Sequence, residues 1–266
     1  MSVADRDWEF LKVRRGDDLL WVTLDNPTKA NALAPAMVEE ITELYGADLR
    51  AEGIRAVLLD GAGKHFSAGA DLEHLRRLRD AAPEDNTRES ETLQRIFQSI
   101  LYQPALTVAL VHGSCVAGGC GLATAHDYVV ATEDARFMYS EVRIGFVAAL
   151  VATFLPLRVN GRDLRELLLD PQFVGAARAL EIGLVNRVVP KDALHGEGEA
   201  LAAGILERAS SESIARTKGL LLDTLGLPLK EALGHAAAVN AASRATADCK
   251  HGIATFLETK KAPTWR

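Results

Sequence analysis

The sequence predicts an α/β fold, and three features of the 266-residue chain predict it. Two short apolar runs, residues 54–61 and 107–113, each end in glycine, which is typical of buried strands. Each run is followed by a glycine-bearing turn and then by a helical stretch, so the strand–turn–helix unit occurs twice. From about Leu201 onward the pattern is helical, with alanine and leucine dominant. In α/β folds the functional site lies at such turns.

Five further segments complete the first half of the chain. Residues 9–15 and 19–25 have the pattern of a β-hairpin. Residues 34–51 carry apolar side chains near helical spacing, which predicts a helix. Residues 79–91 are polar and charged, and they predict a mobile loop or a frayed helix. Residues 127–142 predict two strands joined by a turn.

A soft boundary near Pro190 divides the chain into two regions. Residues 1–190 hold the strand–turn–helix units and are predicted to form the core with the functional site. Residues 191–266 become helical without a convincing strand from about Leu201, which predicts a C-terminal helical region. A chain of this length is large enough to bury a substantial core.

Composition restricts the class of protein. The chain is 48% hydrophobic and 25% charged, as expected of a globular protein, and its net charge of −6 disfavours a dedicated nucleic-acid binder. The longest nearly apolar run, residues 146–157, is too short to span a bilayer. The N-terminus lacks the apolar segment of a secretory leader, so we expect a cytoplasmic protein without membrane contact.

The three cysteines, Cys115, Cys120 and Cys249, lack the spacing of a metal site. Their number is odd, and two of them stand in an apolar, glycine-rich context. This pattern predicts buried reduced thiols. We therefore expect neither a disulfide nor a bound metal ion.

Two glycine-bearing turns follow the two predicted strands. The turn HFSAGADL covers residues 65–72, and the turn VAGGCGL covers residues 116–122. Glycine inside a helix costs about 1 kcal/mol relative to alanine, so its presence there needs a reason. If the strands are neighbours, one free N–H from each turn would form a two-donor hole for a carbonyl oxygen that gains negative charge. The alternative is that the glycines serve turn geometry or tight packing alone.

Four motifs occur in one order along the chain: HFSAGADL, VHGSCVAGGCGLA, HDYVVATEDARFMYSEVRIG and ARALEIGLVNRVVP. Together they resemble the crotonase (enoyl-CoA hydratase/isomerase) superfamily, and the resemblance runs from the N-terminal hairpin to FLETKKAPTW. It implies a spiral of ββα units with a C-terminal helical oligomerisation region, assembled as a homotrimer or hexamer. It also implies an acyl-CoA substrate and an enolate stabilised at the thioester carbonyl. Coenzyme A would be part of the substrate, with no separate cofactor.

The resemblance also implies roles for individual residues. The oxyanion donors should be the amides of Ala70 and Gly118, and the acid–base residue should be Glu141. Lys29 should contact the CoA phosphates, as should Lys260 or Lys261, often across a subunit boundary. The remaining residues implied at the substrate site are Ala68, Gly69, Asp71, Leu72, Gly119 and Gly121.

Gly121 departs from the family's hydratase pattern. Hydratases of the family usually carry a glutamate at this position and a second one twenty residues later, which this chain keeps as Glu141. Water addition is easiest with two carboxylates, whereas family isomerases commonly use the second glutamate alone. The sequence therefore predicts double-bond isomerisation or C2 proton transfer. It also predicts that Gly121→Glu would raise hydration.

A second departure follows Glu141. Hydratases usually show a motif like PGxGGT where this chain has AALVAT, residues 148–153. Ala149 stands where the dehalogenase branch has its nucleophilic aspartate, so a covalent aspartyl mechanism is not expected. The same segment resembles a branch often labelled methylglutaconyl-CoA hydratase, which keeps an enoyl-CoA hydratase or lyase as the first alternative.

Two alternatives belong to other classes. One family branch binds RNA, and the cluster Arg76, Arg77 and Arg79 would be its contact. However, the negative net charge and the lack of interleaved aromatic residues disfavour this role. The other alternative is a catalytically silent CoA-binding relative, against which Glu141 argues.

Several polar residues near the motifs are predicted to be structural. His112 should have a backbone partner, and His65 and His74 should be solvated or capping. Asp71 should organise its own turn, and Asp127 should end a helix. Tyr139 should pack in the core.

Overall fold

A computed structural model of the protein describes residues 2–265, with nine strands and eleven α-helices in that range. The strands are β1 (Leu11–Arg15), β2 (Leu19–Leu24), β3 (Ala56–Gly61), β4 (Leu106–Val111), β5 (Ser114–Val116), β6 (Tyr128–Thr132), β7 (Arg136–Met138), β8 (Val174–Gly175) and β9 (Arg187–Val189). The helices of the first region are α1 (Pro35–Gly46), α2 (Leu72–Arg79), α3 (Pro83–Leu101), α4 (Gly118–Thr124), α5 (Val151–Phe154), α6 (Gly161–Leu169) and α7 (Ala176–Glu181). The helices that follow are α8 (Leu194–Arg208), α9 (Ser211–Asp223), α10 (Leu229–Arg244) and α11 (Ala247–Thr259).

The strands form two sheets. The larger sheet has the order β1-β2-β3-β4-β6-β9, and the smaller has the order β5-β7-β8. β1 and β2 pair antiparallel, which confirms the predicted hairpin, while every other pairing in the larger sheet is parallel. β3 and β4 are neighbours in the parallel sheet, so the two predicted strand–turn–helix units lie side by side.

Helices cover both faces of the larger sheet, as expected for a mostly parallel sheet. One face packs against a core that includes α1 and α3, with Met37, Ile41 and Ile96 fully buried. The other face packs against α8 through Leu201 and Leu206. The first helix after Pro190 thus contributes to the core of the sheet.

The structure corrects the prediction for residues 79–91. α2 ends at Arg79, and α3 begins at Pro83 and is regular over 19 residues. Proline suits the first turn of a helix, and Glu84 and Asp85 there favour the N-terminus electrostatically. The segment is polar because this part of α3 faces solvent, and its buried side chains come only later in the helix.

Asp127 ties three elements together. Its Oδ2 atom accepts from the N–H of Thr107 at 2.8 Å and from Nζ of Lys218 at 2.7 Å. Lys218 also donates to the carbonyl of Ala105 at 2.8 Å. The start of β4, the start of β6 and α9 are therefore joined by one charged network. Burial lowers the pKa of Lys218, and the charge of Asp127 opposes that shift.

The last three helices expose apolar side chains. α9, α10 and α11 bury no residue in the single chain. Leu229 is 76% exposed and Leu257 is 62% exposed. Within residues 2–265, no helix is both long and apolar enough to cross a membrane.

We expect Lys218→Met to lower the free energy of unfolding by about 2–4 kcal/mol, because it leaves the Asp127 carboxylate without its cation. Urea denaturation followed by circular dichroism measures the change. Lys230→Met is the matched control, because Lys230 is exposed at the start of α10. Equal stability of the two variants would show that the network does not hold α9 to the sheet.

Candidate active site

A buried asparagine shapes the first glycine-bearing turn. Nδ2 of Asn31 lies within hydrogen-bond distance of the carbonyls of Ala62, His65 and Phe66, at 2.9, 2.9 and 3.1 Å. The side chain of Asn31 is fully buried. Ser67 adds a second link, since its Oγ donates to the carbonyl of Asn31 at 2.8 Å. Sequence reasoning missed Asn31, whose only signal was a polar residue between the predicted hairpin and the first helix.

The two turns touch one another through backbone, which confirms that they converge. Val116 N–H donates to the carbonyl of Ser67 at 3.0 Å, and Ser67 forms an isolated parallel bridge with Cys115. Gly69 has a φ of +82°, and a Cβ placed on it would lie 2.6 Å from the Val116 carbonyl oxygen. Glycine is therefore needed here both for its conformation and for close contact.

The second turn enters α4 through an unusual backbone conformation. Ala117 has φ 48° and ψ −122°, a combination that residues with a Cβ rarely adopt and that costs about 1–3 kcal/mol. Its N–H donates to the carbonyl of Met138 at 2.8 Å, which fixes the turn against β7. A Cβ on Gly119 would lie 2.8 Å from Cβ of Ser67, so this residue also packs directly on the first turn.

Two backbone amides at this junction are free. Within residues 2–265, neither the N–H of Ala70 nor that of Gly118 donates to a protein acceptor. In contrast, the neighbouring carbonyl of Gly69 accepts from Leu33 at 2.7 Å. Ala68 and Ala70 are exposed, whereas the residues beside them are buried. The pair of free donors can bind an oxygen that gains negative charge.

Glu141 follows the strand that pairs with β5. Val116 and Met138 are partners in the parallel β5–β7 pairing, so Gly118 and Glu141 both come just after the carboxyl ends of neighbouring strands. Oε2 of Glu141 is buried and has no hydrogen-bond partner within the described residues. Burial raises the pKa of the Glu141 carboxyl. A buried acceptor without a donor costs free energy, which is typical of a group that works on a ligand.

Gly121 does not open onto free space. A Cβ there would lie 2.7 Å from Cγ2 of Val151 and 2.9 Å from the ring of Phe97. Both of these side chains are buried, and the Phe97 ring packs on Phe154 with centroids 5.4 Å apart. A glutamate at position 121 would displace these apolar side chains, so the predicted gain in hydration by Gly121→Glu requires them to move. In this structure Gly121 is a packing position in α4.

The outer residues of the first turn are linked by charge. Asp71 caps α2 by accepting from the N–H of His74 at 2.9 Å, and Nζ of Lys29 lies 3.2 Å from its other oxygen. The hydrogen bond from His74 and the nearby Lys29 hold the pKa of Asp71 below its ordinary value. Lys29 is half exposed, so its ammonium is also accessible to a ligand. Leu72, the next residue, is 75% exposed.

Lys260 and Lys261 lie elsewhere in the chain. Lys260 is the exposed C-terminal cap of α11, with a φ of 59°. Lys261 bonds through its backbone to the side chain of Thr259. Within the described residues, no hydrogen bond or ion pair joins either lysine to the two turns.

The rings of His65 and His112 contact backbone groups, whereas the ring of His74 contacts a carboxylate. Nε2 of His112 lies 3.2 Å from the carbonyl of Gly63, which confirms a backbone partner. Nδ1 of His65 accepts from the N–H of Ser114 at 3.1 Å. His74 differs from the prediction that it is solvated or capping, because its ring is shielded and lies 2.8 Å from Glu89. Its backbone N–H, rather than its side chain, takes part in the cap of α2.

Comparison with known families shows which family the chain belongs to. A family model described as Enoyl-CoA hydratase/isomerase matches residues 14–266. The chain belongs to the enoyl-CoA hydratase/isomerase family. The fold matches that of crotonase structures, as the motifs predicted. The free amides of Ala70 and Gly118 and the carboxyl of Glu141 lie within those motifs.

Two relatives of this protein are named for different reactions. A protein of Thermus thermophilus named "Putative enoyl-CoA hydratase" is 43% identical over 90% of this chain and 94% of its own length. The human mitochondrial Delta(3,5)-Delta(2,4)-dienoyl-CoA isomerase is 33% identical over 99% of this chain and 84% of its own length. Hydratases and isomerases are thus both among the relatives.

Solved structures of the family share the fold. An enoyl-CoA hydratase from Mycobacterium smegmatis superposes with a TM-score of 0.87 at 32% identity, covering 96% of this chain and 98% of that one. One from Shewanella pealeana gives a TM-score of 0.89 at 27% identity, covering 99% and 98%.

We expect Gly121→Ala to lower the free energy of unfolding by about 1–3 kcal/mol, because the added Cβ overlaps Val151 and Phe97. The second change Val151→Ala should recover part of that loss. Thermal and urea unfolding of both single variants and the double variant measure a coupling of about 1 kcal/mol or more. Gly46→Ala is the control, because a Cβ at this helical position meets nothing within 4 Å. Additive effects at 121 and 151 would contradict the packing argument.

Proposed function

We propose that the protein transfers a proton at C2 of an acyl-CoA thioester and so moves a double bond along the acyl chain. One observation carries the proposal: two free amides, at Ala70 and Gly118, stand in turns that touch, and the carboxylate of Glu141 follows the adjacent strand. This is a hole for an oxyanion together with a single acid–base residue. Family membership supports a CoA thioester as the substrate.

The free amides would stabilise the charge that develops during the reaction. When a proton leaves C2, the thioester carbonyl becomes an enolate, and the negative charge moves to its oxygen. Two N–H groups already fixed in position stabilise this charge without reorganising, and each such donor is worth about 10²–10³ in rate. Gly69 and Gly119 serve this geometry because side chains there would separate the two turns.

Glu141 would be the group that takes the proton. A carboxyl in an apolar site has a raised pKa, which brings its basicity closer to what C2 deprotonation requires. Its Oε2 atom is buried and has no hydrogen-bond partner within the described residues, so its lone pairs are unused. Returning the same proton to C4 shifts a 3,4 double bond to the 2,3 position. No cofactor beyond the coenzyme A of the substrate enters this scheme.

Hydration is the second candidate, because the Thermus thermophilus relative is named a hydratase. Water addition would suit an enoyl-CoA or methylglutaconyl-CoA-like substrate. It requires a group that holds and deprotonates water as well as the base. Phe97 and Val151 fill the space beside Gly121 with apolar atoms, which favours isomerisation over hydration.

Binding of the CoA portion is assigned to lysines. Lys29 is half exposed beside Asp71 and suits the phosphates. Lys260, which forms no hydrogen bond or ion pair with the turns within the described residues, would contribute from a neighbouring subunit. The helical region 191–266 would build that assembly, a homotrimer or hexamer, in the cytoplasm. RNA binding by Arg76, Arg77 and Arg79 and a catalytically silent CoA-binding role are the alternatives, and the net charge of −6 and Glu141 argue against them.

Glu141→Gln should reduce kcat by at least about 10²-fold with little change in KM, because a proton-transfer group acts in the transition state. In the wild-type enzyme, kcat/KM should rise with pH through the raised pKa of Glu141 and then level off, since the base must be ionised. A steady-state assay of 3-hexenoyl-CoA, followed by absorbance of the conjugated product, measures both. Near-normal turnover by the variant would remove Glu141 from the mechanism.

Thermal unfolding of Glu141→Gln shows whether a loss of activity comes from a loss of stability. A carboxyl whose pKa is raised by folding stabilises the protein below its unfolded pKa, and the contribution is lost as the pH rises through the folded pKa. At neutral pH the ionised Glu141 carboxylate therefore lowers the stability of the folded state, and a glutamine side chain would not. Glu141→Gln should unfold at a temperature no lower than that of the wild type.

The exposed apolar side chains of the C-terminal helices allow a test of the proposed oligomer. Sedimentation of the wild type at micromolar concentration should show a species of at least three times 28.6 kDa. Leu229→Glu with Leu233→Glu should dissociate it, because both leucines are more than 60% exposed in the single chain. Leu169→Glu, at a 69% exposed leucine of α6, is the control. A wild-type monomer would contradict the proposal.

A further inference from the structure

The segment from Ala30 to Leu33 lies beside the first turn and has no role in the mechanism above. The carbonyl of Ala30 accepts from the N–H of Ala68 at 2.9 Å. The N–H of Leu33 donates to the carbonyl of Gly69 at 2.7 Å. The segment therefore bonds to the turn through backbone at two successive residues, as a short neighbouring strand would.

The bond from Leu33 fixes the direction of the free Ala70 amide. The carbonyl of Gly69 and the N–H of Ala70 belong to one peptide group, which is planar and trans, so they point in opposite directions. Ser67 holds the other side of Gly69, because its Oγ accepts from the Gly69 N–H at 3.2 Å. Glycine rotates easily about its backbone bonds, so the orientation of this peptide depends on such partners.

The second free amide, that of Gly118, is directed by its own helix. The carbonyl of Ala117 belongs to the same peptide group as the Gly118 N–H. This carbonyl accepts from the N–H of Cys120 at 2.9 Å and from that of Gly121 at 3.2 Å. The first turn of α4 thus directs the Gly118 N–H outward. The Ala70 amide differs, because it depends on a segment that lies elsewhere in the chain.

Asn31 gives this segment its shape and holds it to the turn. Ala30 and Asn31 have φ values of 50° and 52°, in the left-handed region, which asparagine tolerates better than most residues. The carbonyl of Asn31 accepts from Oγ of Ser67 at 2.8 Å. The buried side-chain amide of Asn31 also lies against three carbonyls just before Ser67. One residue therefore fixes both the segment and the start of the turn.

The left-handed residues are concentrated at the site. Within residues 2–265, four residues other than glycine have a positive φ, and three of them, Ala30, Asn31 and Ala117, border the two turns. Such a conformation persists where the surrounding bonds determine it, and it is typical of functional sites.

We propose that Asn31 is a positioning residue, which aims the N–H of Ala70 at the thioester carbonyl oxygen through the segment 30–33 and Ser67. The inference rests on the proposed function, because that function gives the two free amides their role. A rotated Gly69–Ala70 peptide would leave the CoA portion bound but would not stabilise the enolate. Loss of Asn31 should therefore lower kcat and leave KM nearly unchanged.

Two variants test this separation with trans-3-hexenoyl-CoA. Asn31→Gly removes the side-chain amide and keeps the left-handed conformation accessible. Its kcat should fall by at least about 30-fold with KM within about threefold of wild type, since one oxyanion donor is worth about 10²–10³ in rate. Ser67→Ala removes the hydroxyl bonded to Asn31 and Gly69 and should lower kcat by about 5–10-fold. The pH at which kcat/KM levels off should stay the same, because neither variant alters Glu141.

Infrared difference spectra measure the positioning itself. Saturated hexanoyl-CoA, isotope-labelled at the carbonyl, has no double bond to move and can be observed in the bound state. Binding to the wild type should lower the frequency of the thioester carbonyl band, because the two N–H donors polarise the carbonyl. The lowering should be smaller in both variants. A purely structural role would reduce the amount of folded protein and leave the band of the bound thioester unchanged.

Ser210→Ala is the matched control. Ser210 is also a buried serine, and its hydroxyl donates to Asp248 at 2.5 Å and accepts from the N–H of Ser213 at 3.1 Å. These bonds lie at the start of α9, so the variant should keep the wild-type kcat and carbonyl band.

The outcomes separate this inference from the proposed function. If Asn31→Gly does not fold, Ser67→Ala decides. Wild-type kcat in the folded variants, or a lower kcat with an unchanged carbonyl band, would show that Asn31 does not position the Ala70 amide. A wild type that binds the thioester without lowering the band would overturn the oxyanion hole, and the proposed function with it.

Discussion

The site depends on direct contact between two backbone turns with no side chain between them. Gly69 and Gly119 lie where a Cβ would overlap the opposite turn, and Val116 and Ser67 are joined by a hydrogen bond. This contact places two free amides at one junction. It is made possible by the parallel pairing of β3 with β4, which sets the two strand–turn–helix units side by side. Conformational strain at Ala117 is tolerated because the surrounding bonds determine the turn.

Around this junction Asn31 and Ser67 hold the first turn, and Asp71 pairs with Lys29 at its outer edge. Glu141 stands with an unpartnered oxygen on one side, and apolar Phe97 and Val151 close the position beside Gly121. These apolar side chains occupy the space that a second carboxylate at position 121 would need. Burial raises the pKa of the Glu141 carboxyl, and amides interact more strongly with an oxyanion in apolar surroundings. In the proposed mechanism, the side chains that pack on α4 would influence the reaction preference as well as the acid–base residue.

Sequence reasoning predicted the hairpin, the buried strands and the convergence of the turns, because these depend on local patterns of apolar residues and glycine. It failed at residues 79–91, where a solvent-facing helix has the same composition as a loop. It could not show the surroundings of Gly121, because the side chains that fill the space beside it are those of Phe97 and Val151, which lie 24 and 30 residues away. Asn31 was missed for the same reason, since its three carbonyl partners are set by the fold.

The Asp127 network has a consequence for how the chain reaches its folded state. Lys218 is separated by 91 residues from Asp127 and by 113 residues from Ala105. Contacts of such long sequence separation form late, because the loop they close must first be ordered by nearer contacts. During synthesis the sheet would therefore assemble with the Asp127 carboxylate still hydrated, and arrival of α9 would expel that water. Docking of α9 onto the sheet would then bury a charge pair, and ionic strength would change the free-energy cost of that docking.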